Sequence, residues 1–212
     1  MRLPSLKFSS KRHIPILVLF GWEFYPWQVM NLFQMMRGRV VDADVIRTKF
    51  FGYDISLERH YYHYTIKESS MWEELYAPIS VKDRRVLDVG AGCGETAAFY
   101  FSRGAKRVVA IEPNPQAFRL LEVNARANSW NLDAICDVFK LEHLSIPHDF
   151  IKIDCEGGES ILLEYSGGEL GPCVIESHSS RTARDITKKF HIDSVVAPFK
   201  KHPEVELLVS SR

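Results

Sequence analysis

Two clusters of residues have the types and spacing that chemistry needs. The first is Arg85–Glu95, RVLDVGAGCGE, in which an apolar run, Val86, Leu87 and Val89 around Asp88, leads into the turn Gly90, Ala91, Gly92, Cys93 and Gly94. Such a turn lets the N–H groups of a helix beginning near Glu95 come up to a ligand. A second apolar run, Val108–Ile111, ends in Glu112, followed by Pro113 and Asn114. An acid at that strand end accepts hydrogen bonds from both ribose hydroxyls of a nucleotide-like cofactor. Strand, glycine turn, helix, strand and acid in this order carry far more weight than the glycines alone. The second cluster is DFIKIDCEGGE, Asp149–Glu159, which sets Asp154, Glu156 and Glu159 around two glycines after another apolar run.

The glycine spacing discriminates among cofactors. A nicotinamide or flavin fingerprint is G-x-G-x-x-G, with the helix N-terminus on a pyrophosphate. Here the spacing is G-x-G-x-G followed by Glu95, and a carboxylate just past the turn repels a pyrophosphate. It suits a cofactor whose tail carries an ammonium group, which points to S-adenosyl-L-methionine, with Asp88 also near the amino-acid moiety. The alternative is a turn that only joins strand to helix, and Glu112 argues against it.

These side chains need a sheet to position them. From Asp83 the pattern is regular: strand Val86–Val89, a helix near Glu95–Arg103 stopped by Gly104, strand Arg107–Ile111, then Asn114 as N-cap and Pro115 opening a helix to about Asn128. Further strands are expected at Ala134–Val138, Phe150–Ile153, Val174–Glu176, His191–Val196 and Glu204–Val209, with helices around Ile161–Leu163 and Ser180–Phe190. Alternating strands and helices imply an α/β fold, a doubly wound, mostly parallel Rossmann-like sheet covered on both faces, with ligands at the strands' C-terminal ends. Four strands then deliver Asp88, Glu112, Asp137 and Asp154 to one edge. Asp137 could hold an adenine amino group or equally cap a helix or turn.

The first 80 residues read differently and are assigned to an α+β extension, 1–80, ahead of a cofactor-binding domain, 81–212. Ile14–Met36 is apolar and aromatic, but Pro15, Glu23, Pro26, Gln28, Asn31 and Gln34 interrupt it, so no transmembrane span is expected. Trp27, Met30, Phe33 and Met36 give a helical stripe ending at Gly38, either packed on the main domain or docked peripherally on lipid. Val40–Leu57 reads as a hairpin turning at Gly52–Asp54, and Glu68–Tyr76 as an amphipathic helix. His60–Tyr64, HYYHY, is a weak metal candidate for want of carboxylate partners and fits an aromatic packing or substrate-facing surface. The four cysteines lack any C-x-x-C pair or zinc-ligand spacing, which favours reduced thiols and a cytoplasmic location. Hydrophobic residues make up 46% and the net charge is +0, so no global basic field recruits nucleic acid. Lys7, Lys11, Arg12, Arg37 and Arg39 leave room for a local patch.

The fourth-strand segment is not of the N-P-P-Y or D-P-P-Y type with which amino-methylating enzymes grip a planar nitrogen. VLDVGAGCGE, IEPNPQAFRLLEVNARAN, FIKIDCEGGE and VIESH together resemble the FkbM family of methyltransferases, within the class I S-adenosylmethionine-dependent enzymes, over roughly Trp72–His178. The resemblance implies O-methylation of a hydroxyl on a saccharide or other small molecule. It assigns Gly90, Gly92, Gly94, Glu112 and Asn114 to the cofactor, and Asp154, Glu156 and His178 to the transferred methyl group. The chain departs from the family in having only about a dozen residues between Val138 and Phe150, which leaves the substrate class open.

An alcohol is a poor nucleophile, so transfer needs in-line placement of its oxygen and a base to take its proton. Asp154 or His178 could be that base, His178 having the more suitable unperturbed pKa. Alternatively, Asp154 and Glu156 hold a divalent metal that lowers the pKa of a vicinal diol. Glu156 and Glu159 can also be helix caps, and His178 a satisfied strand-edge residue. Two other functions compete. An RNA methyltransferase of the tRNA type shares E-x-N-P and L-x-x-N-A-x-x-N but calls for a basic face, and a non-catalytic Rossmann-like module would serve as a partner surface.

Overall fold

The computed structural model of the chain describes residues 5–8, 15–19, 22–24, 37–197 and 202–212. The helical stripe expected at Trp27–Met36 lies outside the described residues. Strands β1 (Ser5–Phe8), β2 (Pro15–Leu19) and β3 (Trp22–Phe24) form a small antiparallel sheet.

A second antiparallel sheet runs β4 (Arg39–Asp42), β5 (Val45–Phe50) and β6 (Tyr53–Glu58) in that order. The β5–β6 turn is Phe51–Gly52, one residue earlier than the sequence signal, with φ of 47° and 91°. Two successive left-handed residues make the turn whose twist matches a hairpin, and glycine supplies the second at no steric cost. The single helix expected at Glu68–Tyr76 is two: α1 (Tyr62–Ser69) and α2 (Trp72–Leu75). The break falls at Ser70–Met71, where Ser69 and Ser70 bond back to Ile66 and Lys67 carbonyls and end the first helix.

The main sheet has seven strands: β7 (Arg85–Val89), β8 (Arg107–Ile111), β9 (Leu132–Ile135), β10 (Phe150–Ile153), β11 (Cys173–Ser177), β12 (Ser194–Val196) and β13 (Glu206–Ser210). Their spatial order is β12-β13-β11-β10-β7-β8-β9, and only β13 runs antiparallel to its neighbours. The doubly wound, mostly parallel sheet read from the sequence is therefore present. Strand β9 starts and ends earlier than expected, so Asp137 stands beyond the sheet rather than in it.

Side chains alternate cleanly between the faces. Val86, Val108, Phe150 and Val174 pack on one, and Leu87, Val109, Ile151 and Ile175 on the other. Helices α3 (Glu95–Ser102) and α4 (Pro115–Ala127) cover the first face, and α5 (Ser180–Lys189) the second. Asn114 caps α4 by accepting from the Gln116 and Ala117 N–H groups, with Pro115 at the first helical position, as read from the sequence. Two short 3₁₀ turns, Leu141–Ser145 and Gly158–Glu164, follow β9 and β10, the second standing where a helix around Ile161–Leu163 is expected.

The hairpin shares the first core. Ile46, Phe50, Ile55 and Leu57 are buried with Trp72, Phe99 and Leu121. Polar bonds lock the same contact. The Asn124 amide accepts from Ser56 N–H (2.7 Å) and donates to the carbonyls of Ser56 and Cys93 (both 2.8 Å), while Asn128 makes the same pair of bonds to Asp54. Asn124 is 1% exposed, so water cannot replace these bonds. Asn124→Ala is expected to cost about 2–4 kcal/mol, measured by denaturant unfolding. A loss within experimental error would mean that the packing alone holds the hairpin.

Candidate active site

Strand alternation decides which polar residues meet. Lys152 of β10 stands opposite Asp88 of β7, both on the face that carries α3. Asp154 just past β10, Glu176 within β11 and His178 just past its end have the same parity and continue that row toward the C-terminal edge. Lys152 is 1% exposed. Its ammonium lies 3.4 Å from Asp88 Oδ1 and 3.5 Å from Asp154 Oδ2, and donates to the Gly90 carbonyl at 2.8 Å and the Val89 carbonyl at 3.3 Å. Burial pulls its pKa down, but Asp88, Asp154 and Glu176 outweigh that and hold it above the ordinary lysine range.

The glycine turn is shaped for close approach. A Cβ on Gly90, where φ is +73°, would meet the Asp154 carbonyl oxygen at 1.7 Å, and one on Gly92 would meet Glu95 Oε1 at 2.6 Å. Glu112 receives the Gly92 N–H at 2.8 Å on one oxygen and the Asn114 N–H at 2.7 Å on the other. Each oxygen keeps a second lone pair for a further donor. Glu95 has a buried Oε2 without a hydrogen-bond partner, and its burial raises its pKa to about 7.

A cleft of about 310 Å³ joins these groups. Gly90, Gly92, Glu95, Glu112, Pro113 and Asn114 line one side, and Leu57, Glu58, Tyr64 and Glu68 the other. Asp154 and Glu156 close its end and are shared, with Tyr64 and Glu68, by a second hollow of about 300 Å³ that adds Glu176, His178, His202 and Glu204. Tyr76 OH donates to Glu176 Oε2 at 2.8 Å and lies 3.3 Å from Asp154 Oδ2. His178 Nε2 sits 3.2 Å from Glu156 and 3.7 Å from Glu176. Burial, then the neighbouring Asp154 charge, raises Glu68 to about 8 and Glu176 to about 7.

Most of the residues singled out in the sequence converge here. Gly90, Gly92, Glu112, Pro113, Asn114, Asp154 and Glu156 line the cleft, and His178 the adjoining hollow. Asp88 is buried beneath the turn, bonded by Thr96 and Lys152, and Ala91 and Gly94 are buried in it. Asp137 is outside both hollows, paired with Lys140. Glu159 is fully buried and accepts from Ser177 Oγ and the His178 N–H, so it anchors the end of β11 and not its own turn. Sequence reasoning missed Lys152, Glu176, Glu68 and Tyr76, and placed Tyr64 only within a stretch fitting an aromatic packing or substrate-facing surface. The first two were detectable from strand parity.

Known proteins share this fold. A Pyrococcus abyssi tRNA (uracil-54, C5)-methyltransferase solved with S-adenosyl-L-homocysteine aligns with a TM-score of 0.56 at 19% identity, over 81% of this chain and 45% of its own. Aeropyrum pernix fibrillarin, solved with natively bound S-adenosyl-L-methionine, aligns at 0.52 and 14% identity over 98% of this chain and 99% of its own. The chain has the class I methyltransferase fold. The tRNA m1G37 methyltransferase of Methanocaldococcus jannaschii aligns at 0.54 and 15% identity over 81% and 57% of the two chains. In sequence, a protein described as a protein N5-glutamine methyltransferase of that organism is 35% identical over 54 residues, 26% of this chain. The match spans only 27% of that relative's length. No family model matches the chain.

The raised carboxyls couple the site to stability. Glu68, Glu95 and Glu176 keep protons in the folded protein at pH values where the unfolded chain has released them. Their contribution is complete below the unfolded value of 4.5 and is lost as pH climbs through about 7 to 8. The ligand-free protein should therefore melt at a lower temperature at pH 9 than at pH 5.5, and Glu68→Gln should flatten that dependence. Melting curves of equal pH slope for both proteins would refute the assignment.

Proposed function

We propose that the protein transfers a methyl group from S-adenosyl-L-methionine to a hydroxyl of a small molecule, a saccharide or comparable polyol. The observation that carries this reading is a cleft of two adjoining hollows that share Tyr64, Glu68, Asp154 and Glu156. Its first half presents the glycine turn, Glu112 and an unpartnered buried Glu95 oxygen, and its second half collects the carboxylates and His178. The cofactor's chemistry is an electrophilic methyl on a sulfonium. Glu112 fits its ribose hydroxyls, the lone pairs left on each oxygen accepting them, and Glu95 fits its ammonium group.

The residues beyond the turn prepare the acceptor. Asp154 lines both hollows, so an oxygen held there faces the cofactor half. Asp154, Glu156 and His178 are within reach to orient the hydroxyl and take its proton as the oxygen–carbon bond forms and the sulfur keeps the other electron pair. In this reading 1–80 is an extension whose Tyr64 and Glu68 form a wall of the cleft, and 81–212 is the methyltransferase domain. Among the described residues no lysine or arginine lines either hollow. Such an acidic surface repels the phosphates of RNA, which basic side chains must neutralise. The KIDCEGGE and VIESH segments, similar to those of FkbM enzymes, support a hydroxyl acceptor.

Calorimetric titration tests the cofactor. S-adenosylmethionine and S-adenosylhomocysteine should bind and NAD should not, and Glu112→Ala should weaken the adenosyl ligands roughly 10- to 100-fold through lost ribose hydrogen bonds. Absence of adenosyl-ligand binding would overturn the reading. Label transfer from the methyl donor is then expected to polyol acceptors and not to tRNA. The reverse outcome would replace the acceptor class.

A further inference from the structure

We infer that Asp154, Glu176 and His178 form a divalent-cation site in the acceptor half of the cleft, best suited to Mn²⁺, that seats two neighbouring oxygens of the acceptor. The inference rests on the methyltransferase reading for its purpose, but the site itself stands on geometry. One carboxylate oxygen from each acid and one imidazole nitrogen lie within 4.8 Å of one another. A six-coordinate ion with bonds of about 2.1–2.4 Å places adjacent ligand atoms roughly 3 Å apart and opposite ones about 4.2–4.8 Å apart, so one ion can touch all three. Two carboxylates and one imidazole match manganese better than magnesium, which prefers oxygen alone.

A second observation points to a missing cation. Glu176 is 5% exposed, and no described residue donates a hydrogen bond to its Oε1. Its other oxygen and Asp154 Oδ2 both face the single hydroxyl proton of Tyr76, which can satisfy only one of them. Lys152 already serves Asp88, Gly90 and Val89 from below and reaches Asp154 Oδ2 alone on this side. The wall facing the ligands adds Glu68, Glu156 and Glu204, with His202 as the remaining nitrogen. A buried carboxylate among like charges with an unfilled oxygen is the environment that a bound cation relieves.

The three residues occupy half of an octahedron, which leaves positions for two acceptor oxygens and a water. An ion there would lower the pKa of the hydroxyl next to Asp154. Its proton passes to the lining carboxylate of Glu156, while the methyl moves from sulfur to oxygen and leaves a neutral thioether. The role differs from that of a lone carboxylate base because it selects acceptors with two adjacent oxygens.

The test uses the full chain and MnCl₂, with calorimetry and pulsed EPR. One Mn²⁺ per chain is expected, with nitrogen modulation in the EPR spectrum that disappears in His178→Ala and affinity reduced about tenfold or more in Glu176→Gln. Melting curves and S-adenosylhomocysteine binding of both variants establish that they are folded. Failure to bind Mn²⁺ at low millimolar concentration while S-adenosylhomocysteine still binds would overturn the metal site and leave the methyltransferase reading intact. Mn²⁺ binding that persists unchanged in folded His178→Ala and Glu176→Gln would overturn it as well. Loss of S-adenosylhomocysteine binding in the wild-type protein strikes the methyltransferase reading instead.

Discussion

A buried lysine ammonium cannot stand alone in a protein interior, and the site is arranged around that requirement. Lys152 lies on the core face of β10, where an apolar residue would be ordinary, and satisfies itself with Asp88, Asp154 and the carbonyls of Val89 and Gly90, where β7 enters the glycine turn. The first strand, the turn after it and the end of the fourth strand are thereby tied to one charge. The same bonds set how closely the turn approaches Asp154, a distance so short that only glycine fits at position 90. Replacing one partner would leave the others as uncompensated buried charge, which is why the cluster acts as a unit.

The chamber next to this cluster is costly in the opposite sense. Glu68, Asp154, Glu156, Glu176 and Glu204 gather around a space served by one buried ammonium and two histidines. Protonation of Glu68 and Glu176 near neutral pH relieves part of the repulsion. Sites that bind ligands commonly hold such unfavourable arrangements, offset by packing elsewhere. Here the offset comes from the aromatic core of Phe50, Trp72, Phe99 and Tyr100 under the hairpin.

The repeating strand–helix units from Asp83 onward were legible because each carries its own punctuation: glycines after β7, Glu112 after β8, Asn114-Pro115 before α4, Gly104 after α3. Site residues that sit on that punctuation, Gly90, Gly92, Glu112, Asn114 and Asp154, were legible with it. Lys152 and Glu176 were hidden inside apolar runs, where attention to composition outweighs attention to parity. Counting by twos from Asp154 and His178 would have put both on the site's face. Glu68 and Tyr64 belong to α1, whose place over the cleft depends on packing between distant segments that no local pattern encodes. Asp137 was misjudged for a simple reason. Strand β9 ends two residues before it, and a nearby lysine takes its charge.

The two asparagines of α4 have one more consequence. Strand β6 is an outer strand of its sheet, with a row of backbone groups that could pair with another chain. Asn124 and Asn128 are one helical turn apart, about 6 Å of rise, close to the roughly 6.8 Å between alternate strand residues such as Ser56 and Asp54. Each side-chain amide therefore imitates a neighbouring strand's peptide group, filling both the N–H and the C=O of its partner. A helix closes this margin of the sheet as a ladder rung would, and leaves no template there for aggregation or strand exchange between molecules.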